Sequence, residues 1–167
     1  MSSSRRVAGA AVVLAIALSA GCTAHPGVAA VVDGRTITQD YLEDASADLQ
    51  KDPAWTLSLL VAAPYYIEVA EDNGVAVSTQ EARTAFEEAL ADAGKATAIS
   101  DGAVEVMRLV LATQAVSDLP HGAGILSETE ARVLELDMEI NPRYGDVDPA
   151  TGEIARTTSP WIVSSDV

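Results

Sequence analysis

The segment INPRYGDVDPATG, residues 140–152, concentrates groups that could bind a metal ion or act on a substrate. Asp146 and Asp148 have the spacing of the first two carboxylate ligands of an EF-hand calcium loop. That loop also needs an oxygen ligand at its fifth position and Gly at its sixth. Here the fifth position is Ala150, and Gly152 comes one residue too late. Because Pro and Gly in this order are typical of turns, the segment instead predicts a turn between two short strands.

His25 and His121 are the two histidines of the chain, and both lie beside Pro or Gly in predicted loops. Neither has a Cys or a second His at the spacing that metal sites use. The sequence also lacks the glycine-rich phosphate loops and the nucleophile motifs of hydrolases. Acidic residues such as Glu87 and Glu88 fall mainly on outward faces of predicted helices, and no pair is singled out for glycoside hydrolysis. We therefore predict no catalytic residue, no metal and no cofactor.

A surplus of aromatic and apolar side chains is the stronger functional signal. The residues are Trp55, Leu59, Tyr65, Tyr66 and Phe86. One interpretation places each of them in the core. The alternative is an exposed apolar groove that binds extended peptide, because Tyr and Trp keep a polar tip that tolerates water. Trp55, Leu59, Tyr65 and Tyr66 lie on a helix predicted over 54–72. Pro64 lies inside this helix and would kink it, which could shape such a groove.

The N-terminal residues 1–21 predict a secretory signal peptide. Two arginines precede a small, apolar run that is shorter than the roughly 18–20 residues needed to span a bilayer. The sequence LSAGC at 18–22 resembles the lipobox of bacterial lipoproteins, in which the Cys is lipidated. We therefore predict lipid attachment at Cys22, a tether over 22–27 and an extracytoplasmic, membrane-anchored protein. The alternative is an ordinary signal peptide with an incidental Cys.

Net charge limits the partners. The chain has 10 Lys and Arg against 25 Asp and Glu, a formal charge of −15. Such a chain cannot replace the counterions around nucleic-acid phosphates, and it is repelled by anionic lipid surfaces. We therefore predict no nucleic-acid partner and attachment to the membrane through the lipid alone. With one Cys, no internal disulfide can form.

The elements that would position these residues follow from turn and capping signals. A β-hairpin is predicted over 27–38, because Asp33-Gly34 suits a two-residue type I′ turn. Four helices are predicted at about 39–51, 54–72, 79–93 and 101–118. Their start signals are Thr38, Asp52-Pro53, a Ser78–Glu81 capping box and Ser100. On the fourth helix the predicted inward residues are Val104, Met107, Leu111 and Ala115.

A change of hydrophobic period follows. A second capping box at 127–130 predicts a short helix over 128–133, and the apolar residues Leu134, Leu136, Met138 and Ile140 then alternate with acidic ones. This strand needs a partner, and the hairpin offers one. The predicted fold class is therefore mainly α with a small antiparallel β element (α+β): an N-terminal β-hairpin pairs with a C-terminal strand around about four helices. It forms one domain over 28–156, and 157–167 is a loosely ordered tail.

The order of these elements, with AAVVDGRTIT at 29–38 and NPRYG at 141–145, resembles the SurA N-terminal-domain-like lipoproteins of actinobacteria. It is similar to the extracytoplasmic chaperone core of the SurA, PrsA and trigger-factor group. The resemblance covers about residues 25–163. It implies that the helices form a cradle for unfolded envelope proteins. SurA and PrsA also carry a parvulin isomerase domain, which we do not expect here, and the short helix at 128–133 implies a shallower cradle.

We therefore expect a lipid-anchored extracytoplasmic chaperone-like protein that binds unfolded or nascent secreted polypeptides through apolar helical surfaces. One alternative is an accessory envelope lipoprotein that docks a single dedicated protein partner. Another is an envelope enzyme, such as a degenerate prolyl isomerase or an acid-dependent hydrolase.

Overall fold

A computed structural model describes residues 26–92 and 98–155. Over these ranges it contains five helices and two small antiparallel sheets, which confirms the mainly α, α+β class. The elements are β1 (Val28–Val32), β2 (Arg35–Thr38), α1 (Gln39–Leu49), α2 (Pro53–Asp72), α3 (Thr79–Asp92), α4 (Asp101–Ser117), α5 (Gly122–Leu134), β3 (Met138–Ile140), β4 (Asp146–Val147) and β5 (Ile154–Ala155).

Several predictions fall on residues outside the two described ranges. They are the signal peptide 1–21, the lipid site Cys22, His25, the end of the third helix near residue 93 and the tail 157–167.

The three-stranded sheet joins the N-terminal hairpin to a strand from the C-terminal part of the described chain. Asp33 and Gly34 have φ values of 47° and 81°, the positive values of a type I′ turn, and β1 and β2 form the predicted hairpin. Strand β3 pairs antiparallel with the other edge of β1, so that the strand order is β2-β1-β3. The predicted return of the C-terminal strand to the hairpin is confirmed. The strand is shorter than its alternating pattern, however, because Leu134 still belongs to α5.

Helix starts follow the predicted capping signals. The caps are Thr38, Asp52, Ser78 and Ser100. The capping box of α3 is complete: Ser78 Oγ accepts from the Glu81 N–H at 3.2 Å, and the Ser78 N–H donates to Glu81 Oε2 at 2.8 Å. The Ser78 hydroxyl and N–H, both bonded to the Glu81 carboxylate, lower its pKa. The local sequence therefore determines where four of the helices begin.

Polar side chains compensate for Pro64 inside α2. Pro64 has no N–H for the carbonyl of Leu60, and Arg35 Nη1 donates to that carbonyl instead, at 2.9 Å. Arg35 Nη2 also donates to both carboxylate oxygens of Glu105, at 2.6 and 2.9 Å. The Tyr41 hydroxyl donates to Glu105 Oε2 at 2.6 Å. Burial is the main cause that raises the pKa of Tyr41, and this hydrogen bond is the second. We call these groups the Arg35 cluster, and they join β2, α1 and α4 to the proline site of α2.

The buried face of α4 differs from the prediction. Val104 is buried, but Met107, Leu111 and Ala115 are only partly so. The buried residues of the helix are Gly102, Ala103, Val104, Val106, Leu109, Ala112 and Val116. Because α4 contacts α1, α2, α3 and α5, it is covered on several sides, and one apolar stripe does not describe its packing.

The prediction of a short helix over 128–133 is wrong. Helix α5 begins at Gly122, and Ser127 lies inside it, so the second capping box does not start a helix. The start depends on close backbone contact instead: a Cβ on Gly122 would lie 2.1 Å from the carbonyl oxygen of Val116. This contact places α5 against the end of α4, and α5 also packs on α2.

The turn predicted in the segment after β3 is present. Asp148 to Gly152 forms the turn between β4 and β5, with Gly152 at φ 69°. The Ala150 N–H donates to Asp148 Oδ1 at 2.8 Å, and the Asp148 N–H donates to the Glu153 carbonyl at 2.8 Å. Among the described residues, no group of three or more His, Cys, Asp or Glu could hold a metal ion.

Candidate binding groove

One face of α2 carries an apolar stripe that packs at the border of the core and stays partly exposed. Trp55, Leu59, Ala62 and Tyr66 recur at intervals of three and four residues, which places them on the same side of a helix. All four are exposed or partly buried, whereas Leu57 and other residues of the opposite face are buried. Helix α2 is apolar on two sides because one side packs on the core and the other lines the surface.

Two adjoining depressions flank this stripe, and Leu59, Ala62 and Tyr66 line both. The first has a volume of about 210 Å³ and lies between α2, the C-terminal half of α5 and the β4–β5 turn. Its other walls include Glu130, Val133, Leu134, Gly152, Glu153 and Ile154. The second has a volume of about 560 Å³ and lies between α2, α4 and α5. Its other walls include Leu109, Val110, Thr113, Gln114, Ser117 and Leu126. We call the two together the α2 groove.

The α2 groove collects the exposed apolar surface. In the described part of the chain, three large hydrophobic side chains are exposed: Trp55 by 45 %, Val110 by 52 % and Leu134 by 37 %. All three line the groove, although they come from α2, α4 and α5. Single exposed hydrophobic residues are normal on protein surfaces, but their collection in one concave patch is typical of a binding site.

Polar groups lie at the rim of the groove and give it a mixed character. Lys51 Nζ lies 5.4 Å from the centre of the Trp55 ring, which holds the indole by a cation–π contact. Glu130 and Glu153 bring negative charge to the first depression. Burial, with a smaller contribution from Glu130, raises the pKa of Tyr66, so its hydroxyl remains protonated at neutral pH. The groove is therefore an apolar floor with hydrogen-bonding groups and an acidic edge.

The structure brings together three of the five residues predicted to bind a client. Trp55, Leu59 and Tyr66 line the α2 groove. The adjacent Tyr65 points elsewhere: its hydroxyl donates to Asp33 Oδ2 at 3.0 Å, and Arg132 stacks on its ring at 5.2 Å. Helical geometry separates neighbours in sequence by about 100°, so Tyr65 and Tyr66 serve different surfaces.

The prediction that Phe86 lines an exposed groove needs correction. Phe86 is buried on α3, the helix that packs against α4. Together with Ala82, it forms the buried side of α3.

Sequence reasoning missed the walls of the groove. Val110 lies off the predicted inward face of α4, and Leu134 was assigned to a strand. A usable signal was present in α4, because Leu109, Val110 and Leu111 form an apolar run too wide for one buried stripe. For Leu134 the signal was ambiguous, since a short apolar alternation fits the end of a helix and the start of a strand equally well.

A larger depression elsewhere is polar and structural. It has a volume of about 640 Å³ and includes Arg35, Glu105, Glu71 and Arg108 in its lining. Both arginines are paired within the fold, because Arg35 binds Glu105 and Arg108 Nη2 donates to Glu71 Oε1 at 2.6 Å. This site therefore joins helices rather than offering free cations to a ligand.

No helix in the part of the chain that the structure describes has the length and hydropathy of a membrane span.

Comparison with known proteins identifies no relative. No protein-family model, no curated protein and no solved structure matches the chain.

Proposed function

We propose that this chain is a lipid-anchored, extracytoplasmic chaperone-like protein that holds unfolded or nascent secreted polypeptides in the α2 groove. The observation that carries the proposal is the meeting of Trp55, Val110 and Leu134, exposed and from three different helices, along one groove. The resemblance of the sequence to SurA N-terminal-domain-like lipoproteins supports the same function. The proposal assigns no catalytic residue.

The dimensions of the groove suit a short stretch of extended peptide. From Trp55 to Tyr66 the helix rises about 16 Å, which corresponds to about five residues of extended chain. Leu59 and Ala62 form an apolar floor for alternate side chains, while Gln114 and neighbouring hydroxyl groups offer hydrogen bonds to a peptide backbone. Apolar contact without a fixed set of polar partners gives weak, sequence-tolerant binding, as a holding chaperone needs.

The acidic surface fits this function. A net charge of −15 keeps the protein soluble while apolar surface is exposed, and it repels other copies of the same chain. Glu130 and Glu153 at the edge of the groove would favour clients with Lys or Arg beside their apolar residues.

The groove is tested by removing its three exposed hydrophobic residues together. The variant Trp55→Ser/Val110→Ser/Leu134→Ser, in the soluble chain that begins after Cys22, is expected to bind an unfolded client at least about tenfold more weakly, because truncating each anchor costs about 1–2 kcal/mol. The measurement is the molar ratio needed to suppress aggregation of a reduced, unfolded client, with circular dichroism showing that the variant is folded.

Tyr65→Ser is the matched control, since it truncates an aromatic residue of the same helix outside the groove. It should leave suppression unchanged. If the unaltered chain has no effect on aggregation at severalfold molar excess, the proposal fails. A single stoichiometric partner in a crosslinked pull-down, with no unfolded clients, would instead indicate an accessory lipoprotein.

Membrane anchoring has a separate test at Cys22. The variant Cys22→Ser is expected to move the protein from the membrane fraction to the soluble fraction, because the two acyl chains that give stable anchoring would be absent. Fractionation of cells that express the full-length chain measures this, and metabolic labelling with a fatty acid reports lipid attachment directly. Retention of the Ser variant in the membrane would contradict the lipobox interpretation.

A further inference from the structure

The chain leaves the described region at the edge of the α2 groove. Ile154 of β5 lines the first depression, and its N–H donates to Ser58 Oγ of α2 at 2.8 Å. Strand β5 thus packs against the helix that carries the groove floor. Ala155, the last described residue, therefore directly follows a wall of the groove in sequence.

The sequence that follows has the composition of a groove ligand. Residues 156–163 read RTTSPWIV, a polar spacer followed by Trp161, Ile162 and Val163. Pro160 favours extended backbone in the residue before it, and the apolar run of three residues is shorter than the extended chain that the groove can hold.

The reach of this segment matches the groove. Ser58 and Tyr66 are about 12 Å apart along α2 at roughly 1.5 Å per residue. An extended chain from Ala155 to Trp161 spans up to about 20 Å, so the Trp161 side chain can reach any point of the apolar floor. The charge is also complementary, because the segment begins with Arg156 and the edge of the groove carries Glu130 and Glu153.

We propose that residues 156–163 of the chain itself occupy the α2 groove, with Trp161 and Ile162 on its apolar floor, and that an unfolded client must displace them. The docking depends on the geometry of β5 and α2. The competition with a client rests on the function proposed above. Tethering gives the segment a high effective concentration at the groove, so it excludes weak ligands and yields to long apolar segments. This arrangement would protect the exposed surface from self-association when no client is present.

Fluorescence of Trp161 tests the docking. The chain has two tryptophans, so Trp55→Phe leaves Trp161 as the one reporter. In the soluble chain that begins after Cys22, Trp161 emission is expected to be blue-shifted and severalfold less quenched by acrylamide than in a free peptide of residues 156–167. Adding Val110→Ser and Leu134→Ser should shift emission towards that of the peptide, whereas adding Tyr65→Ser should not.

Two results would overturn the docking. One is Trp161 emission equal to that of the free peptide and indifferent to the groove substitutions. The other is a blue shift that disappears on dilution, which would assign the groove to a second copy of the chain.

Client binding tests the competition separately. The variant Trp161→Ser/Ile162→Ser is expected to suppress client aggregation at a severalfold lower molar ratio than the unaltered chain. An unchanged ratio, in a protein whose groove variant Trp55→Ser/Val110→Ser/Leu134→Ser loses suppression, would overturn the competition and leave the proposed function standing. If neither the unaltered chain nor any variant suppresses aggregation, the proposed function is overturned, while the fluorescence of Trp161 would still decide the docking.

Discussion

Replacing Arg35 with Met is expected to lower the free energy of unfolding by about 3 kcal/mol, because one guanidinium serves two partners that cannot satisfy each other. Arg35 Nη1 bonds the Leu60 carbonyl that Pro64 leaves without a helical donor, and Nη2 bonds both oxygens of Glu105. Met fills a similar volume but leaves the carbonyl unsatisfied and the carboxylate with Tyr41 as its neighbouring donor. The pair is partly exposed, so the loss stays below that of a fully buried ion pair.

The measurement is urea denaturation of the soluble chain, followed by far-ultraviolet circular dichroism. The free energy of unfolding of Arg35→Lys should fall between those of the unaltered chain and Arg35→Met. An ammonium on a flexible stem does not reproduce the fork that joins the carbonyl and the carboxylate. The fold should survive, since the apolar core around Leu42, Leu57 and Leu60 is unchanged.

Arg132→Met is the matched control. Arg132 also has an acidic partner, Glu68 at 3.3 Å, but both side chains are about half exposed, and the expected loss is at most about 1 kcal/mol. Equal losses for Arg35→Met and Arg132→Met would mean that the Arg35 cluster is no more than an ordinary surface ion pair.

Much of the fold could be predicted because its signals are local. The turn at Asp33-Gly34 requires two residues with positive φ, and that pair provides them. The helix caps at Ser78 and Ser100 act within a single turn of helix. The return of β3 to the hairpin is a long-range feature, but it was predictable because an isolated strand needs a partner and the hairpin was the strong candidate.

The start of α5 could not be predicted in this way. Its sequence, HGAGILSETE, contains a good capping box in the wrong place. The helix begins earlier because Gly122 allows backbone contact with the last turn of α4, and that contact joins residues whose proximity depends on the tertiary fold. A local signal at Ser127 was therefore overridden by packing.

The groove was predicted only in part, because its walls also depend on tertiary packing. Helix α2 is apolar nearly all round, so periodicity alone does not separate its core face from its groove face. The surplus of aromatic residues singled out Trp55 and Tyr66, which line the groove, but it could not assign Tyr65 to its contact with Asp33. Knowledge of which helices flank α2 was needed, and only the fold provides it.

Two residues of the segment 140–152, Arg143 and Tyr144, have architectural roles that the sequence did not specify. Tyr144 is buried in the core beneath the sheet, and burial raises the pKa of its hydroxyl. Arg143 stacks on the Tyr144 ring at 5.2 Å, and its Nη1 donates to Gln39 Oε1 at 3.2 Å. The Asn141 side chain donates to the Val28 carbonyl at 2.9 Å. The NPRYG motif thus ties the end of β3 to β1 and α1.

Replacing Gly122 with Ala is expected to lower the free energy of unfolding by about 3 kcal/mol or more. A Cβ at this position would lie 2.1 Å from the carbonyl oxygen of Val116 and 2.9 Å from that of Ser117. Both atoms are backbone at the end of α4, so no side-chain rotation can relieve the overlap. Either α5 moves away from α4 or the last turn of α4 unwinds, and thermal denaturation of the soluble chain measures the cost.

Gly124→Ala is the control that separates this clash from the general effect of removing a glycine. No atom lies within 4 Å of a Cβ at Gly124 in the same helix, so Ala should raise stability by up to about 1 kcal/mol through helix propensity. Because Leu126 and Leu134 of α5 form walls of the α2 groove, Gly122→Ala should also weaken client binding at temperatures where the protein is still folded. Equal stability of the two variants would show that the α4–α5 contact is loose, and the groove would then lack the fixed wall on which its function depends.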